Sequence, residues 1–221
     1  MKKSLILAAS LAAVVLGGGV LAGCSDDSSS SSYILPSADT LPAPVGTNNP
    51  FKTGIYEWKW EWEEEDISYT QVSVNAEKCT IYVENEGDVY KYTYNEYTHK
   101  LTMALYQRNL PKDMDKFLET FISGEGYDGG FDLADRTTYT TAINTFLTKL
   151  QPLYKDSPSA QHTDWVEFRA MYAESIAEFT TPETYDYNVV DENTVELTLK
   201  GFDLEDGYWE EKATFTFLSA E

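Results

Sequence analysis

Gly54-Ile55-Tyr56-Glu57-Trp58-Lys59-Trp60-Glu61-Trp62-Glu63 decides how this 221-residue chain folds. Tyr56, Trp58, Trp60 and Trp62 fall on one face, and Glu57, Lys59, Glu61 and Glu63 on the other. Side chains alternate across a strand, so this pattern predicts a half-buried β-strand. Strand-like runs follow at 68–75, 79–85, 88–97 and 100–107, with polar breaks such as Asn85-Glu86-Gly87-Asp88. Gaps this short join antiparallel neighbours, which makes a meander of hairpins.

The period then changes to that of a helix. Pro111 suits a first helical turn, and Met114, Phe117, Leu118, Phe121 and Ile122 recur at helical spacing until Gly124. A second helix carries Tyr139, Ala142, Ile143, Phe146, Leu147 and Leu150. A third starts at Asp164, with Glu167 at capping-box spacing, and ends before Pro182. Alternation returns in Tyr185, Tyr187 and Val189, then Val195, Leu197 and Leu199, then Ala213, Phe215 and Phe217.

The predicted fold is mainly β with a helical insertion (α+β): about eight antiparallel strands, with three helices between strands five and six. Such a meander loses its edges by closing into a barrel. The alternative is an open sheet with helices on one face. Gly54-Ile55-Tyr56 at the head of the first strand resembles the Gly-x-Trp start of lipocalin-like domains, with Tyr in place of Trp. The resemblance implies a barrel architecture and no particular function.

Upstream, Met1-Lys2-Lys3 precedes an uncharged, mostly apolar run to Val20 and then Leu21-Ala22-Gly23-Cys24. This layout is that of a secretory signal peptide. Leu-Ala-Gly-Cys resembles a bacterial lipobox, which implies cleavage after residue 23 and acylation of Cys24. The resemblance further implies an envelope protein attached to the membrane through Cys24. Ser25 lacks the Asp associated with inner-membrane retention, which favours the outer membrane, and Asp26-Asp27 is similar to a short surface-exposure signal. Residues 24–50, with Ser28–Ser32 unbroken and Pro36, Pro42, Pro44 and Pro50, read as a disordered tether. It would hold the domain roughly 25–30 Å from the membrane. Residues 51–221 then form one β-rich domain, with the helical insertion at about 111–180.

The formal charge is −21, which argues against nucleic acid, whose phosphates are bound by clustered Lys and Arg. It also removes any electrostatic attraction of the domain to anionic lipid. With Cys24 acylated, Cys79 has no intramolecular partner. Its alternation with Ile81 and Val83 makes it a small buried strand residue.

Gly124-Glu125-Gly126-Tyr127-Asp128-Gly129 has the spacing of a dinucleotide loop, but it follows a helix and carries acids, so it reads as a helix stop. Glu125, Asp128, Asp132 and Asp135 in the same loop are a candidate Ca²⁺ set, without EF-hand order. His99 and His162 read as exposed loop residues, and no zinc or triad motif accompanies them. No cofactor is implied.

Five Trp and sixteen Tyr remain. Trp58, Trp60, Trp62, Tyr90, Tyr92 and Tyr94 form two stripes that are either barrel core or a surface for a carbohydrate or small amphipathic ligand. Three functions follow. The leading one is a non-catalytic binding or interaction module, and the second is a hydrolase using a carboxylate pair. The third is a structural accessory of an envelope assembly.

Overall fold

The computed structural model describes residues 37–61, 67–203 and 207–220. Cys24, the lipobox and Trp62 lie outside them. The five predicted early strands are β1 (Gly54–Glu61), β2 (Ile67–Asn75), β3 (Thr80–Val83), β4 (Asp88–Asn95) and β5 (Lys100–Pro111). The chain continues through α1 (Met114–Ser123), β6 (Phe131–Asp135), α2 (Arg136–Leu150) and α3 (Trp165–Ala177). It ends with β7 (Glu183–Val189), β8 (Thr194–Asp203) and β9 (Gly207–Ser219). Eight strands close into an antiparallel barrel in the order β4-β3-β2-β1-β9-β8-β7-β5, with β5 returning to β4. β6 lies outside it, paired with β5.

The alternation predicted for β1 holds. Tyr56 is 2% exposed, and Tyr56, Trp58 and Trp60 pair with Phe217, Phe215 and Ala213 of β9. Val72, Val74, Ile81, Leu101, Tyr185 and Leu197 complete the barrel core from their own strands. At the β3–β4 turn the Gly87 N–H reaches the Val83 carbonyl at 2.8 Å with φ +69°. A Cβ there would also run into the Asn109 side chain, so only glycine fits.

The end of the barrel where β1 begins, here the lower end, is plugged. Phe51 is 3% exposed, and its ring packs edge-on against Tyr56, Tyr92 and Phe215 at 5.1–5.7 Å. Asn49 holds it: its Oδ1 accepts from Phe51 N–H and Tyr92 O–H, and its Nδ2 donates to the Ala76 carbonyl. Glu96 accepts from the backbone of Thr47 and Asn48, and Val45 forms a parallel bridge to Asn95. Ala38 is buried as well. A disordered tether reaching Pro50 therefore does not describe residues 37–50. Ala38 and Pro50 are buried at the two ends of this segment, and Glu96 and Asn49 hold the backbone in between.

The helices form a second core of Leu105, Tyr139, Ile143, Phe146, Leu150 and Phe179, and Tyr90 packs against both cores. Aspartates cap all three: Asp113, Asp135 and Asp164 each accept backbone N–H bonds in the first turn. Gly124 ends α1 in the left-handed region, as a helix stop should. Pro111 ends β5 rather than opening α1, because Asp113 takes the capping position. Cys79 sits in the β2–β3 turn at φ +51°, not in a strand, and its thiol faces the Ala76 carbonyl at 3.6 Å. Burial pushes that thiol's pKa up, away from reactivity.

Candidate functional site

Following the inward side of each strand away from the plug changes the chemistry of the lumen. Below, β7, β8 and β9 contribute Tyr187, Val195, Leu197 and Phe215, all buried. Above, the same alternation places Glu183 two residues before Tyr185, and Glu211 two before Ala213. Gly201 faces Trp209 across the β8–β9 ladder, and a side chain at Gly201 would overlap the Trp209 ring. Trp58 stacks on Phe215 with centroids 5.1 Å apart and meets Trp60 edge-on at 5.7 Å. Trp58, Trp60, Tyr90, Glu183, Trp209 and Glu211 are all half-buried. The inner face of the barrel is thus aromatic and acidic above its apolar lower half.

Its polar groups are incompletely satisfied. The Tyr185 hydroxyl donates to Glu183. The Trp58 indole nitrogen is buried and hydrogen-bonds to nothing among the described residues. An orphan buried donor is uncommon in a native fold and calls for a physical reason. Burial pushes the Glu183 carboxyl above its ordinary range, against the Tyr185 bond. Burial also raises Glu211, and the charge of Glu183 raises it further. Two raised carboxyls on the inner face of the barrel, one of them raised further by the other's charge, favour a ligand bringing donors or positive charge.

The predicted stripes divide accordingly. Trp58, Trp60 and Tyr90 are half-buried and pack against the barrel core, whereas Tyr92 and Tyr94 are 3% and 8% exposed and belong to that core. Tyr92 and Tyr94 are therefore corrected from binding candidates to packing residues, since the plug at Phe51 covers their end. Trp209, Glu183 and Glu211 were not singled out by sequence. Reading the last alternation upstream from Ala213 through Glu211 to Trp209 would have found two of the three.

The candidate Ca²⁺ set is not brought together. Asp128 pairs with Lys116 at 2.5 Å, Asp132 pairs with Lys112 at 3.2 Å, and Asp135 caps α2. Residues 131–135 form a strand rather than a loop, which sends successive carboxylates to opposite sides. Among the described residues no three His, Cys, Asp or Glu side chains could share a metal ion. His99 and His162 are exposed, as predicted.

A groove of about 440 Å³ beneath the plug is rimmed by Asn48, Lys52, His99, Tyr187, Asn188 and Asp191. Asn49 and Glu96 also line it, but they are occupied in holding the plug, so this groove reads as the outside of a clamp.

Sequence reasoning also missed the joint between barrel and helices. Arg108 on β5 donates from Nε to both Asp88 carboxylate oxygens at 3.0 and 3.1 Å, and from Nη2 to Asp88 at 2.6 Å and Glu178 at 2.5 Å. Its Nη1 donates to the Ser175 carbonyl and hydroxyl, and that hydroxyl lies 3.0 Å from the Tyr139 hydroxyl. Asp88 is 2% exposed. Burial pushes the Asp88 and Glu178 carboxyls up, while Arg108 pulls them back with its charge and hydrogen bonds. This is architecture rather than chemistry, because every donor of the fork is committed to protein. No protein-family model, curated protein or solved structure matches this chain.

Proposed function

We propose that this chain is a lipid-anchored protein of the cell envelope, on the outer membrane, whose barrel binds a small amphipathic molecule in its upper lumen. The binding reading rests on the raised carboxyls of Glu183 and Glu211 on the inner face of an aromatic barrel, with the buried Trp58 indole N–H unpaired among the described residues. The aromatic faces suit the apolar part of such a ligand, and the carboxylates suit an ammonium or hydroxyl head. Phenethylammonium is the matching probe and phenylacetate the opposite-charge control, with indole fluorescence as readout.

Phenethylammonium is expected to bind and phenylacetate not to. Glu211→Gln and Trp58→Phe should each weaken binding roughly tenfold, about one charge-assisted or buried hydrogen bond. Because both carboxyls are raised, their charged forms appear above the ordinary value of about 4.3, and affinity should climb as pH rises through the shifted values. Equal binding of the two probes, unaffected by either substitution, would sink the reading. The same carboxylate pair favours a second reading, glycoside hydrolysis. Turnover of aryl glycosides that disappears in Glu183→Gln and Glu211→Gln would replace binding by catalysis.

The lipobox resemblance at Leu21-Ala22-Gly23-Cys24 supports the anchor. The domain's negative charge gives it no attraction to anionic lipid, so attachment falls to acyl chains, of which two or more hold firmly. Cys24→Ala should move the protein from the membrane to the soluble fraction. Unchanged fractionation would refute the anchor without touching the lumen.

A further inference from the structure

Within the described residues each barrel strand has a neighbour on either side, and β6 has one. Gln107 of β5 pairs with Val89 of β4 and with Asp135 of β6, so β6 lies on the edge of β5 opposite β4. The Lys112 N–H donates to the Gly130 carbonyl at 3.1 Å, which sets the phase of the ladder. In an antiparallel pair the hydrogen-bonded positions alternate, so Asp132 and Ala134 bond towards β5. Phe131 and Leu133 therefore turn their N–H and C=O groups to the open edge. Their side chains are 49% and 43% exposed, while Ala134 is buried against the helical core. Tyr127 extends the apolar strip, its ring 5.5 Å from Phe131.

Exposed edges are usually blunted by short length, charge, proline or a bulge. β6 is five residues long and carries Asp132 and Asp135, but it has no proline or lysine and its register with β5 is regular. Charge decides what the edge can accept. Lys112 and Lys116 balance Asp132 and Asp128, but the chain as a whole carries −21. A second copy is repelled and a basic partner is drawn in.

We propose that β6 is a docking edge for an extended, basic segment of a partner protein. The segment adds as a further strand, its main chain bonding Phe131 and Leu133 and its apolar side chains covering theirs. The probe is a seven-residue peptide of alternating Lys and Val, compared with its Glu–Val counterpart, on the full-length protein. The Lys peptide should slow amide exchange at Phe131 and Leu133 and lose affinity as salt is raised.

Leu133→Pro removes an edge donor that β5 does not use and should weaken binding roughly tenfold or more. Phe131→Lys with Leu133→Lys leaves the backbone intact and should do the same by repulsion, which covers the case in which the proline variant fails to fold. Unchanged exchange at both amides overturns the proposal, as does equal binding of the Glu peptide. Protection that grows with protein concentration in the absence of peptide also overturns it, since the occupant is then a second copy.

Discussion

Arg108→Ala is expected to destabilise the domain by about 3–5 kcal/mol, the usual cost of removing one partner from a buried ion pair. Asp88 loses all of its fork contacts, and Glu178 and Ser175 lose theirs. For a chain of this size the melting temperature should fall roughly 2–4 °C for each kcal/mol. The pH dependence has a definite sign. Burial already raises the Asp88 and Glu178 carboxyls, and without Arg108 nothing opposes it. A carboxyl whose folded pKa lies above its unfolded one loses stability as pH rises between the two values. The variant's deficit should therefore shrink on acidification from neutral pH towards the ordinary carboxylate range. Adding Asp88→Asn should recover part of the loss at neutral pH. A deficit under about 1 kcal/mol, as for an exposed pair, would refute the role given to this joint.

Phe51→Ala should cost about 3–5 kcal/mol, the range for emptying a buried aromatic position. The ring closes the lower end against Tyr56, Tyr92 and Phe215, so its loss also admits water to the core side of the barrel. Urea denaturation would measure the cost, and Phe51→Leu should recover more than half of it. Hydrogen exchange at Glu96, whose N–H bonds the Val45 carbonyl, should quicken if the strap loosens with the plug. A near-neutral substitution would mean that residues 45–53 rest on the barrel without sealing it.

The barrel was legible in the sequence because its signal is strict alternation. The start of β1, β7 and the lower part of β8 bury their apolar sides as the pattern requires, and Trp58 and Trp60 further along β1 are half-buried against the core. The helices were legible through their aromatic and aliphatic spacing and their aspartate starts. β6 was not, because Phe-Asp-Leu-Ala-Asp is short, lies in a glycine- and acid-rich run, and is fixed by pairing with β5 rather than by propensity. The upper lumen escaped for the opposite reason. Glu183 and Glu211 occupy inward positions, and a carboxylate there interrupts the alternation that marks a strand face, so the strand reads as starting later than it does. Arg108 was hidden by distance: its partners lie 20, 67 and 70 residues away along the chain. No local pattern records such a contact.

The first and last strands among the described residues are neighbours, β1 pairing with β9 from Ile55↔Ser219 to Glu61↔Lys212. The seam of the barrel therefore joins residues at the far ends of the domain, and contacts of that span slow folding. Until β9 has emerged and found its place, β1 and β8 both present open edges, the species most exposed to aggregation. A protein sealed in this way closes its barrel only once β9 is available to β1, so the arrival of that one strand governs when the barrel becomes safe.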